Sequence, residues 1–141
     1  MNIFIAADHA GFNLKEYLKK ESGSEMTDLG TDSPESCDYP VFAQKLSGYV
    51  LGCEGSRGIL ICLTGTGMTI AANRYKGIRA ALCFNEKMAE LSRRHNDSNV
   101  IVFGSAIVSK ETALNCLRIF LRTEFEGGRH SRRLELTDKG G

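Results

Sequence analysis

The sequence predicts an α/β fold, a three-layer αβα sandwich around a five-stranded parallel sheet of Rossmann-like organisation. Three observations predict it. Five short strand-like runs, at residues 2–7, 25–29, 58–62, 78–83 and 100–103, alternate with segments whose apolar residues recur at helical spacing. Most of these runs are continuously hydrophobic rather than alternating, as strands covered on both faces must be. Strands joined through helices run parallel, and right-handed crossovers put those helices on both faces of the sheet.

The elements follow in order. Residues 2–7 read as a buried strand, and residues 13–20 place Leu14, Tyr17 and Leu18 on one helical face with lysines opposite. Residues 25–29 form a second short strand, followed by a polar loop over 30–38. A helix over 39–50 carries Val41, Phe42, Leu46, Tyr49 and Val50 as its apolar stripe, and Gly52 and Gly55 stop it. The third strand, 58–62, leads through a glycine-rich loop into a short helix over 67–73. The fourth strand, 78–83, precedes a helix over 85–94, and the fifth, 100–103, precedes one over 111–124. In that last helix Ala113, Leu114, Leu117, Phe120 and Leu121 keep register until Gly127-Gly128 ends it. A C-terminal tail follows from about residue 127. With 141 residues and no repeat or linker, the chain is expected to form a single domain over 1–141.

A chain with 42% hydrophobic and 25% charged residues falls outside the disordered and fibrous classes. Its net charge of +1 gives no global field toward nucleic acid or a membrane, so neither is expected as a partner and a small molecule is. No apolar run approaches the roughly 20 residues of a membrane span, and the start lacks the basic stretch of a signal peptide. Cys37, Cys53, Cys62, Cys83 and Cys116 are odd in number and irregular in spacing, which suits neither a disulfide framework nor a zinc site. A reducing, cytoplasmic setting is expected.

Ligands of such sheets bind beyond the carboxyl ends of the strands. That edge receives Asp8-His9-Ala10-Gly11 after the first strand and Cys62-Leu63-Thr64-Gly65-Thr66-Gly67 after the third. A thiol delivered to a helix N-terminus meets a field that lowers its pKa and stabilises a thiolate, and the glycine loop is suited to an anion. An inert cysteine in a tight turn fits the same residues equally well. His95 falls at the end of the fourth helix, on the opposite edge of the sheet, where a second subunit would be needed to bring it to Cys62. It is either a catalyst or a helix cap, with Asn96 suited to the left-handed conformation. Arg129 and Arg133, four apart, would share a helix face and suit a phosphate dianion, although a solvated basic tail is the simpler reading. No histidine pair has ligand spacing, so no metal is expected. The glycine loop lacks the lysine of a Walker loop and is too short for the dinucleotide fingerprint.

Taken together, Asp8-His9-Ala10-Gly11-Phe12, Asp38-Tyr39-Pro40, Cys62-x-Thr64-Gly65-x-Gly67, His95-Asn96-Asp97-x-Asn99 and Glu126-Gly127-Gly128-Arg129-His130-x-x-Arg133 resemble the type B ribose-5-phosphate isomerases, in order from Met1 to about Leu136. The resemblance implies interconversion of ribose 5-phosphate and ribulose 5-phosphate without metal or organic cofactor, in the pentose phosphate pathway. It also implies a homodimer with sites shared between subunits; pairing of dimers into a homotetramer stays open. By the same resemblance Cys62 is the base, Thr64, Asn96 and the N–H groups of Gly65, Thr66 and Gly67 stabilise the enediolate, and His95 with Asp8 opens the sugar ring. His9, Arg129 and Arg133 correspond to phosphate ligands, and Tyr39 to a tyrosine lining the pocket. Two positions depart from the pattern: Leu63 stands where the family usually has glycine, and Ala106 where many members have an arginine near the phosphate. Leu63 keeps an allose-6-phosphate isomerase open as an alternative, and a catalytically silent sugar-phosphate-binding module is the reading from another class.

Overall fold

The computed structural model describes residues 1–140. Five strands, β1 (Ile3–Ala7), β2 (Thr27–Asp28), β3 (Arg57–Cys62), β4 (Ala80–Leu82) and β5 (Val100–Gly104), form one parallel sheet in the order β2-β1-β3-β5-β4. Its centre is tightly registered, with Ile59 opposite both Ile5 and Ile101. The expected three-layer α/β sandwich is therefore the observed one.

Six helices cover it: α1 (Phe12–Glu21), α2 (Tyr39–Leu51), α3 (Thr66–Ala72), α4 (Glu86–Asn96), α5 (Lys110–Arg122) and α6 (Arg129–Lys139). One face of the sheet buries Ile5, Ile59, Ile61, Ile101 and Phe103 against α1, α4 and α5 through Leu18, Ala89, Leu117 and Phe120. The other buries Phe4, Leu60 and Val102 against α2 and α3 through Leu46, Val50, Met68 and Ala72. Each large side chain so removed from water contributes about 1.5–3 kcal/mol, which is why the continuous apolar runs become central strands. Asn85 and Ser109 start α4 and α5 by accepting from the N–H groups of Met88 and Thr112, at 2.9 and 3.1 Å.

Three sequence expectations are corrected. The second strand is Thr27–Asp28 rather than 25–29, because Glu25 and Thr27 are exposed on a sheet edge with no second face to bury, and edge strands are short. The expected tail from about residue 127 is instead the helix α6, preceded by Gly127 and Gly128 at φ +72° and +59°. Helix α4 runs through His95 to Asn96, and the left-handed cap is Asp97 (φ 45°, ψ 45°), not Asn96. The carboxylate of Asp97 is held there by Arg93 at 2.9 Å and Arg79 at 3.1 Å, which offsets the backbone cost.

Candidate active site

Strands β1 and β3 lie side by side at the sheet centre, and their chains leave on opposite faces, β1 toward α1 and β3 toward α3. That reversal opens a crevice at their carboxyl ends. The loops entering it carry Asp8 and His9 from one side and Cys62 to Gly67 from the other.

Cys62 ends β3 and is buried at 5% exposure, with Thr64 exposed beside it. The loop is pinned to the end of β5: the N–H of Ser105 donates to the Cys62 carbonyl and that of Ala106 to the Leu63 carbonyl, both at 2.9 Å. Gly65, at φ +84°, turns the chain into α3, and a Cβ there would lie 2.4 Å from Leu82 Cδ1. A Cβ on Gly67 would lie 2.6 Å from the ring of Tyr39, so the absence of a side chain is what lets Tyr39 cover the start of α3. The Thr64 Oγ1 accepts from the Thr66 N–H at 3.3 Å, which leaves the hydroxyl hydrogen free to donate. The first N–H groups of α3 have no carbonyl partner within the helix, and the helix starts four residues after the end of β3. Leu63 is 57% exposed, and among the described residues Asp97 is the only non-glycine with positive φ, so Leu63 fits its position without the strain a glycine would relieve.

Asp8 is buried, and its Oδ1 accepts from the N–H groups of Ala10 and Gly11 at 3.0 and 3.1 Å, capping the single helical turn His9–Gly11. His9 Nδ1 accepts from the Cys37 N–H at 3.2 Å; in the neutral ring the proton then sits on Nε2, available to an anion. Asp8, His9, Tyr39, Cys62, Thr64, Gly65, Thr66 and Gly67 thus gather at one edge of the sheet.

His95, Asn96, Arg129 and Arg133 do not join them. They lie at the opposite edge, where α4 ends and α6 begins, as the position of His95 before β5 foretold. Asn96 is exposed and lines a cleft of about 430 Å³ with Asn73, Arg79, Leu134 and Asp138. The His95 ring stacks on that of His130, with centroids 4.3 Å apart and planes 14° from parallel. The Glu126 N–H donates to the Arg94 carbonyl at 3.0 Å, and Arg94 also pairs with the Glu126 carboxylate, fastening the start of α6 to the end of α4. Burial, the neighbouring His95 and the Arg129 charge hold the His130 pKa below the ordinary histidine value. Sequence named His130 only within the motif from Glu126 to Arg133 and gave it no role, since its contact with His95, 35 residues earlier in the chain, carries no local signal.

The likeness to known proteins covers nearly the whole chain. Residues 3–136 match the Ribose/Galactose Isomerase family. The ribose-5-phosphate isomerase B of Escherichia coli (strain K12) is 46% identical over 136 residues, spanning 94% of this chain and 91% of the E. coli protein. The crystal structure of a Thermotoga maritima ribose 5-phosphate isomerase superposes with a TM-score of 0.94 at 48% identity, covering 98% of this chain and 97% of that one. The Mycoplasma genitalium ribose-5-phosphate isomerase B, solved with bound ribulose-5-phosphate, superposes with a TM-score of 0.92 at 38% identity over 99% and 95% of the two chains. Shared sheet, shared motifs and coverage from end to end lead to one assignment: the chain belongs to the ribose/galactose isomerase family.

Proposed function

We propose that this protein is an aldose-ketose isomerase that interconverts ribose 5-phosphate and ribulose 5-phosphate. What supports the reading most is that Cys62 ends β3 next to the end of β1, with the Thr64 hydroxyl in the loop that follows, in a chain whose whole-length relatives are named for this activity. Cys62 as thiolate takes the proton from C2 of the open-chain aldose; the electron pair forms the C1–C2 double bond and the charge settles on O1. The hydroxyl hydrogen of O2 passes to O1 and the proton held by Cys62 is returned to C1, giving the ketose. Hydrogens move within one molecule, so no external oxidant or reductant enters.

The enediolate is stabilised by the N–H groups of Gly65, Thr66 and Gly67, the Thr64 hydroxyl and the Asn96 amide; each such donor is typically worth about 10²–10³ in rate. His95 and Asp8 open the furanose, and Nε2–H of His9 with Arg129 and Arg133 holds the phosphate. Tyr39 closes the wall over Gly67. Because these groups stand at two edges of one chain, the complete site needs a second copy, and a homodimer in which each subunit supplies half of two sites satisfies that need. Ala106, exposed and bonded to Leu63, leaves the phosphate one cation short of the family pattern. The five free thiols suit the cytoplasm.

The test is a coupled assay on ribose 5-phosphate and allose 6-phosphate, with wild-type and Cys62→Ala protein. The substitution should lower turnover by about 10²–10⁴ while leaving sugar-phosphate binding nearly unchanged, since the thiolate acts on a C–H bond and the phosphate is held elsewhere. Near wild-type turnover in Cys62→Ala would move the base to another residue, and faster turnover of the hexose would make this an allose-6-phosphate isomerase.

A further inference from the structure

Helices α4 and α6 meet in a group of side chains that the isomerase reaction does not use as a group. One ligating atom from each of His95, Glu126 and His130 lies within 4.8 Å of the others. His130 is 5% exposed, and its Nε2 has no hydrogen-bond partner, although it points at Glu126 Oε1 3.7 Å away. A buried imidazole nitrogen aimed at a carboxylate and left unpaired is a ligand position. Arg94 holds the other carboxylate oxygen, Oε2, through both Nε and Nη2, so Oε1 is turned toward the histidines. An outer partner that orients a ligating carboxylate in this way is characteristic of metal sites.

We propose that His95, Glu126 and His130 bind a divalent transition-metal ion, with zinc as the best fit, and that the bound ion switches the isomerase off. Two imidazole nitrogens and one carboxylate oxygen are a three-ligand zinc set, with the fourth tetrahedral position left to water or an oxyanion. Bonds of about 2.0–2.2 Å require the ligand atoms to converge to about 3.3–3.5 Å of one another, a contraction supplied by rotating the exposed Glu126 side chain and sliding the half-buried His95 ring off its stack. Only one of the three ligating groups is a carboxylate, so the set suits imidazole-seeking ions better than magnesium or calcium, which need several hard oxygen donors. The inhibitory half of the proposal rests on the reading of His95 as the ring opener: coordination takes away the nitrogen that would carry the proton.

Titration of the intact protein with zinc in a calorimeter, and with cobalt(II) followed by visible absorption, tests the site without reference to activity. The expected result is one ion per chain, visible cobalt bands of a four-coordinate site, and no near-ultraviolet thiolate band, which distinguishes this set from Cys62 or the other cysteines. Glu126→Gln, which keeps an amide oxygen for Arg94 and the backbone bond from residue 126 to the Arg94 carbonyl, and His130→Gln should each weaken zinc binding by about tenfold or more. In the coupled assay zinc should inhibit wild-type protein at the concentrations that fill the site, and Glu126→Gln should keep its activity while losing that sensitivity by the same factor. Absence of stoichiometric binding, a thiolate band, or unchanged affinity in both variants would overturn the site. Stoichiometric zinc binding with full activity would overturn the switch, and would place the error in the role of His95 rather than in the metal ligands.

Discussion

The carbonyls of Cys62 and Leu63 are both fixed by N–H groups that follow β5, so the loop carrying the proposed base is anchored on the most deeply buried strand of the sheet. The other cysteines have different settings. Burial pushes the Cys83 thiol up to about 12 and that of Cys116 up to about 11, and both are essentially inaccessible. Iodoacetamide applied to the native protein at pH 8 should therefore leave Cys83 and Cys116 unmodified, and peptide mass mapping reads the result directly; labelling of either would show that the sheet face under α4 and α5 opens readily. The spare-hydrophobe character of these two was legible in sequence, since Cys83 ends an apolar run and Cys116 sits within one. Asp8 was legible only in part. Its place after β1 marked it, but the capping bonds of its Oδ1 to Ala10 and Gly11 depend on a turn that composition does not announce.

Among the elements, the short edge strand β2 has support that its sequence concealed. Lys15 on α1 has a fully buried side chain, with Nζ 2.5 Å from Asp28 Oδ2, and Lys19 reaches the same oxygen at 2.7 Å. Burial alone would raise the Asp28 pKa, but the bonds from Lys15, Lys19 and the Gly30 N–H outweigh it and hold the carboxyl below its ordinary value. The stability it lends is accordingly complete above the ordinary carboxyl value and is lost as pH falls through the lower folded one. Asp28→Asn should cost about 3 kcal/mol, because it leaves the buried Lys15 ammonium only the half-exposed Glu16 carboxylate, 3.8 Å away, and urea unfolding at neutral pH measures it. A loss under about 1 kcal/mol would show that Lys15 escapes to water. Lysines on a helix face read as solvated from sequence, since burial of this one requires a partner thirteen residues away. Helix α6 was hidden for a related reason: its anchors, Glu126 to Arg94 and His130 to His95, are contacts between distant segments.

At the scale of the molecule, the parallel direction of the strands followed from apolar runs separated by helices, and with it the edge on which Cys62 and Asp8 stand; the order β2-β1-β3-β5-β4 did not, because it depends on which strands pair across the sheet. The separation of His95 from that edge was legible for the same reason, because it ends a helix that returns the chain to the start of a strand. If the site is completed by a second copy, mixing inactive Cys62→Ala protein with inactive His95→Ala protein should restore activity. Heterodimers would then hold one undamaged site out of two, so after complete subunit exchange about a quarter of wild-type turnover should return. No recovery, with exchange demonstrated by mass spectrometry, would put both residues into one chain's site.

The opposite placement of Cys62 and His95 also bears on inheritance. If each site is shared between two subunits, then in a cell with two versions of the gene a version lacking Cys62 alone spoils one site in every mixed dimer, and half of all sites survive random pairing. A version lacking both residues spoils both sites of every mixed dimer, since one site misses its base and the other its ring opener. Only dimers of two intact chains then work, a quarter of the total. Two lesions in one gene copy thus poison the product of the other, whereas either lesion alone does not: dominance here is decided by which sheet edges are hit.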